Sequence, residues 1–282
     1  MDSLSEIWKS NINIGNSKWT LSGSSLAGIR TSFYCPELKI LLDAGHQNFN
    51  RITDIFITHC HADHIASLPL IILENINNKF LTKIYCHESS ISTLENMVDT
   101  FLICNYYSCK IPKRYYNFIP IKEFDTIELK LNSQNLSIKS FKSDHVVPTL
   151  SFGFIEKRKK LKEEYIGLDS KQIVDLKIKK IEITYDIEVK KMVFCGDTTS
   201  EIFKINPDIL NFENIIIECT FFADEDLNSA IERKHMHWKK LSNIIRENSS
   251  VNFYLIHISA KYKNHKELKE NYLKDLSNVF II

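Results

Sequence analysis

The pattern His-x-His-x-Asp-His at His59, His61, Asp63 and His64 places four side chains able to ligate a metal within six consecutive positions. It constrains the fold more than any other stretch. It follows the apolar run Ile55-Phe56-Ile57 and precedes a second one from Ile65 to Leu73. The first run reads as a strand that delivers the ligands to a sheet edge. In extended backbone, residues i and i+2 share a face. His59, His61 and Asp63 are therefore expected to point into one cavity, and His64 joins them if the chain turns there into a helix. Imidazole and carboxylate donors suit zinc, ahead of manganese or iron. The alternative is a chance cluster on a solvated loop. With ten histidines in 282 residues, three inside six positions argue against it.

The same design recurs along the chain: an apolar strand that stops at an acid or a histidine. Lys39 to Gly45 ends in Asp43, a carboxylate placed to orient a ligand histidine from behind. His46 after it and His87 after a later strand read as structural. His145 stands alone before the strand 150–154, and beside the first cluster it becomes the leading third imidazole ligand. Met192 to Thr199 ends in Gly196-Asp197, and a carboxylate there suits a bridging ligand. Ile215 to Phe221 carries Glu218 at its end, and Phe253 to His257 ends in His257. His235 precedes an amphipathic helix at about 239–247. Further helices are expected at about 65–75, 89–103 and 170–180, with a Lys-rich helix running to about 274. Two layers of strands flanked by helices would bring all the strand ends to one edge. The fold class is therefore α+β, a β-sandwich flanked by helices, in one domain over 1–282. No internal sequence repeat is visible.

Composition narrows the setting. Thirty-six Lys and Arg against 35 Asp and Glu leave a formal charge of +1, so no global field marks a nucleic-acid binder. Local patches would have to supply any such binding. The densest is Lys157-Arg158-Lys159-Lys160-Leu161-Lys162, opening a charged segment at 156–191. It reads either as a solvated, salt-bridged face or as a phosphate-attracting patch. Seven cysteines without a CxxC pair, and no signal peptide, point to reduced thiols inside the cell, cytoplasmic or nuclear. The opening Met1 to Glu6 is a poor transit peptide. No apolar run approaches a membrane span.

The order of these motifs resembles the metallo-β-lactamase superfamily over nearly the whole chain, and more narrowly the ribonuclease Z family. The resemblance is carried by Leu42-Asp43-Ala44-Gly45, by His59 through Pro69, by Asp144-His145-Val146-Val147-Pro148 and by Gly196-Asp197-Thr198. Glu218-Cys219-Thr220-Phe221, His235 and His257-Ile258-Ser259-Ala260-Lys261-Tyr262 complete it. It implies a four-layer αββα sandwich with a basic insertion at about 156–191. It also implies two zinc ions, one on His59, His61 and His145, the other on Asp63, His64 and His257, with Asp197 bridging. The implied activity is that of an endoribonuclease removing 3′ trailers from tRNA precursors by attack of a hydroxide shared between the zinc ions. Asp63 would take a proton from the water, and His235, oriented by Glu218, would protonate the leaving oxygen. Lys261 and Tyr262, with Lys157, Arg158, Lys159 and Lys160, would hold substrate phosphates, and the enzyme would form a homodimer. The alternative within the superfamily is a hydrolase of a small phosphodiester or thioester.

Overall fold

The computed structural model describes residues 11–47, 52–106, 115–262 and 264–282. Met1 to Glu6, and Cys109 of the seven cysteines, lie outside these residues. The first sheet holds β1 (Ile12–Asn13), β2 (Thr20–Leu26), β3 (Arg30–Cys35), β4 (Ile40–Leu42), β5 (Asp54–Phe56), β6 (Thr82–His87) and β7 (Tyr116–Ile121), paired in that order. Helices α1 (Ala62–Ile65), α2 (Leu68–Asn77) and α3 (Ile91–Tyr106) interrupt it. The second sheet holds β8 (Thr126–Leu131), β9 (Gln134–Lys142), β10 (Leu150–Leu161), β11 (Thr184–Phe194), β12 (Asn214–Glu218), β13 (Asn252–Ile256) and β14 (Val279–Ile281), also in sequential order. Its helices are α4 (Ser170–Ile178), α5 (Glu201–Ile205), α6 (Leu227–Arg233), α7 (Trp238–Glu247) and α8 (His265–Leu268).

The sheets share a plan that no sequence repeat announced. In each, the first three pairings are antiparallel and the last three parallel. The layers follow from period-two alternation. Phe56 of β5, Phe194 of β11, Ile216 of β12 and Tyr254 and Ile256 of β13 turn inward into one core between the sheets. Ile55 packs outward under α2 and α3, with Ile71, Ile72, Leu94 and Val98. Val193, Ile215, Ile217, Phe253 and Leu255 pack outward on the other side, under Trp238, Leu241 and Ile245 of α7. This is the expected helix–sheet–sheet–helix order.

Two regions carry more than the sequence showed. The basic run 157–161 lies on a strand, an element the sequence did not assign to it. Strand β9 pairs with β10 only as far as Glu156, whereas β11 follows it to Leu161. Beyond Glu156 the two strands therefore project as a ribbon tipped by α4. The C-terminal helix ends at Leu273, close to the expected 274, but only His265–Leu268 is α; it passes into a π-turn at Lys269–Leu273 before β14 closes the sheet.

Candidate metal centre and hydrolytic site

The parallel strands of both sheets run their C-terminal ends to one edge, and the chemistry collects there. Asp43 follows β4, Thr58 and His59 follow β5, Asp197 follows β11, Glu218 closes β12 and His257 follows β13. Asp43 (φ 57°) and His257 (φ 56°) lie in the left-handed region. A residue other than glycine enters it at a cost, and such residues collect at functional sites. Gly45 serves a different need. A Cβ there would sit 1.7 Å from the Asp63 carbonyl oxygen, so only glycine lets this turn press against the ligand loop.

The expected ligands come together. His59, His61, His145 and Asp197 offer donor atoms within 4.8 Å of one another, and so do Asp63, His64 and His257. Asp197 lies between the groups. Its Oδ2 is 3.7 Å from His59 Nε2, 3.9 Å from His145 Nε2 and 3.5 Å from His257 Nε2, while its Oδ1 is 3.5 Å from His64 Nε2. His59 Nε2 and His64 Nε2 are buried without a hydrogen-bond partner. Buried polar atoms are normally satisfied. These orphaned nitrogens face carboxylates at separations near the roughly 3.4 Å edge of a tetrahedron built on zinc–nitrogen distances of about 2.0–2.1 Å. Burial pushes the pKa values of His59, His61 and His145 down, which favours the neutral, ligating form. Burial opposes the charge of Asp197, yet the imidazoles of His257, His64, His59 and His235 hold its pKa below the ordinary carboxylate value. The residues fit a metal.

Behind the ligands stand two matching relays. Asp43, fully buried, accepts from His64 Nδ1 at 2.7 Å and from the Thr58 hydroxyl at 2.9 Å. Thr58 in turn accepts from His59 Nδ1 at 3.1 Å. Glu218, equally buried, accepts from His235 Nδ1 at 2.9 Å and from the Thr220 hydroxyl at 2.6 Å, and Thr220 accepts from His257 Nδ1 at 3.1 Å. Each carboxylate thus fixes one histidine directly and one through a threonine, which settles the tautomers and leaves Nε2 of His59, His64 and His257 facing Asp197. His145 is held differently: its Nδ1 donates to the Lys234 carbonyl at 3.0 Å, and Lys234 itself caps α6 with a left-handed φ of 52°. For His235, burial works against protonation, but the Glu218 carboxylate and then Asp197 raise its pKa to about 9. Asp63 Oδ2 accepts from the Gly28 amide at 2.8 Å and lies 3.1 Å from His257 Nε2.

A cavity of about 230 Å³ opens onto these groups, lined by Gly28, His61, Asp63, Asp197, His235 and Arg233 among others. The sequence reading missed Arg233, an exposed cation at the end of α6. It also missed Thr58, Thr220 and the Lys234 carbonyl. The proposed phosphate residues fare differently. The Tyr262 hydroxyl accepts the Phe222 and Ala223 amides at 2.9 Å each and donates to Asp226, which also pairs with Lys261. Both therefore brace the loop 222–226. Lys157 pairs with Glu128 at 2.7 Å, Lys159 with Asp186 at 3.3 Å and Arg158 with Glu156, and these three line a separate hollow on the ribbon. Lys160 lies on the same ribbon.

Comparison with known proteins adds the lineage. The family described as "Anti-Pycsar protein Apyc1" matches residues 36–274. The curated "tRNase Z TRZ1" of Arabidopsis thaliana is 29% identical, covering 86% of this chain and 86% of its own length. The "tRNase Z TRZ2, chloroplastic" of the same plant is 30% identical, covering 93% of this chain and 73% of its own length. Among solved structures, the metallo-beta-lactamase fold protein YhfI from Bacillus subtilis superposes with a TM-score of 0.61 at 15% identity, over 92% of this chain and 93% of that one. At that identity the likeness concerns the fold alone.

Proposed function

The chain belongs to the metallo-β-lactamase superfamily, to the family described as Anti-Pycsar protein Apyc1 over residues 36–274 and, by its likeness to the plant tRNase Z proteins, to the ribonuclease Z family, and from that premise we propose that it is a metal-dependent phosphodiesterase removing 3′ trailers from tRNA precursors. The observation that carries this is the paired ligand groups sharing Asp197, with His235 beside them on a carboxylate of its own. When bound, two divalent ions, one on His59, His61, His145 and Asp197 and the other on Asp63, His64, His257 and Asp197, supply Lewis acidity to the phosphate and to a water. The donor set suits zinc, ahead of manganese or iron.

The chain's own residues do the rest. Asp63, with Oδ2 tied to Gly28, uses Oδ1 to accept the proton of the attacking water. His235 holds a proton on Nε2 for the leaving 3′ oxygen, and Glu218 keeps the ring aimed. Arg233 in the cavity wall holds a phosphate oxygen of the strand. The segment 156–191 is an insertion into one domain spanning 1–282. The proposal extends to a homodimer acting in the cytoplasm or nucleus, and unpaired thiols at Cys35, Cys86, Cys195 and Cys219 support an intracellular setting. Among the described residues no helix is long and apolar enough to cross a membrane.

Incubation with a 3′-extended tRNA precursor, with and without chelator, tests the proposal. We expect one cut at the trailer junction, abolished by chelation and restored by zinc. Cutting that survives exhaustive chelation, or an intact precursor in the presence of metal, would sink it. One observation favours hydrolysis of a small phosphodiester or thioester instead: the ribbon cations Lys157, Arg158 and Lys159 are spent on neighbouring acids. Turnover of a small ester with no action on the precursor would select that reading.

A further inference from the structure

The metal cavity has a neighbour. On the far side of His235 lies a second hollow of about 360 Å³, lined by Thr199, Ser200, Leu227, Ala230, Ile231 and Lys240, and His235 borders both. Its size is that of a small-molecule site, with one apolar wall of Leu227, Ala230 and Ile231 and the rest polar or charged, Asp144, Glu201 and Lys234 included. Leu227, Ala230 and Ile231 share one face of α6, and Ile231 is 66% exposed, so packing does not explain an isoleucine there. The Ser200 hydroxyl and the Lys240 ammonium have no hydrogen-bond or ion-pair partner among the described residues.

The position of His235 says what belongs in this hollow. Its Nδ1 is committed to Glu218 at 2.9 Å, so Nε2 is the nitrogen that meets the leaving oxygen. In an in-line displacement that oxygen lies opposite the attacking water. The group attached to it therefore extends past His235, where the hollow begins. The geometry points to a nucleoside subsite: the hollow receives the nucleoside whose 3′ oxygen leaves. As the water oxygen bonds to phosphorus, the bond from phosphorus to the 3′ oxygen breaks. The water proton passes to Asp63 and the proton of His235 to the 3′ oxygen. The hollow is left holding a free 3′-hydroxyl, and the other fragment carries the phosphate. This rests on the phosphodiesterase proposal above.

Two substrates separate the two ideas: the tRNA precursor, and bis(p-nitrophenyl) phosphate, whose leaving group has neither sugar nor base. Ile231→Ala should lower kcat/KM on the precursor about tenfold, the worth of one isoleucine buried against a ligand, and Ala230→Leu should lower it further by filling the hollow. Both variants should keep aryl diester hydrolysis within about twofold of the parent. Saturation-transfer NMR with adenosine and cytidine, which needs no cleavage, should show binding to the parent chain and none to Ala230→Leu. Equal losses on the two substrates, unchanged rates on both, or no nucleoside signal with the parent overturn the subsite. If the parent cleaves the aryl diester but leaves the precursor intact, the tRNA proposal fails, and the nucleoside signal alone decides the subsite.

Discussion

The Asp43 relay and the Glu218 relay are built alike and end differently. Each is a fully buried carboxylate at the end of a parallel strand, one in each sheet, holding one imidazole directly and another through a threonine. Around Asp43 both imidazoles, His64 and His59, belong to the two proposed ligand groups. Around Glu218 only His257 does; His235, though near enough to Asp197 and His257 to form a third group with them, is the proposed proton donor. His235 faces Asp197 Oδ2 at 3.8 Å, but through the Nδ1 already bonded to Glu218. One scaffold, used twice, orders two proposed ligands on one side and, on the other, one proposed ligand with the proposed proton donor. Asp197 is where the two meet.

That comparison can be broken in graded ways. Asp197→Ala removes the shared carboxylate and should abolish cleavage, with a loss of at least about a thousandfold and metal content falling on both sides. Full activity with unchanged metal by mass spectrometry would refute the two-group site. Asp43→Ala frees two ligand imidazoles at once and should weaken metal affinity about 10–100-fold, read by competition with a chelating dye. Glu218→Gln should retain metal yet lower kcat on the precursor about 10–100-fold, while bis(p-nitrophenyl) phosphate, which needs no proton for its leaving group, is hydrolysed almost normally. Metal loss in this variant comparable to that of Asp43→Ala would show that the relays do not differ. The smallest effect should come from the ribbon. Replacing Lys157, Arg158, Lys159 and Lys160 with Ala should change kcat/KM on the precursor less than about threefold, because exposed charges paired with neighbouring acids have little left for a ligand. A tenfold loss, steepening at low salt, would restore the ribbon as an RNA contact.

Legibility followed the side chains. The site residues announced themselves because each stands at the end of an apolar strand with a group that strands rarely carry at that point; His59, Asp197 and His257 among the candidate ligands, and Glu218 behind them, were all visible in this way. Thr58 and Thr220 were not, since a threonine after a strand is ordinary until its partners are seen. The carbonyl that holds His145 belongs to Lys234, and a backbone acceptor leaves no trace in residue type. Arg233 looked like any charged helix end. The layered fold was legible from the recurring strands that stop at an acid or a histidine, but the ribbon was not. A two-stranded projection has no buried face to impose the period of two, so Lys157 to Leu161 read as a charge run. The duplicated sheet plan was hidden because strand order depends on apolar pattern and connection length, and the two halves satisfy both with unrelated residues.

The route by which Asp63 reaches His257 bears on how the molecule assembles. These partners stand 194 residues apart and follow strands of different sheets, β5 and β13. No fragment from the N-terminal half contains a complete site, and the second ligand group can close only after both sheets have formed and docked, a contact of high order and slow arrival. A cation that prefers this closed arrangement stabilises the native chain by mass action. Removing it should lower the melting temperature of the whole sandwich rather than loosen one edge, making metal supply a condition of folding yield as well as of turnover.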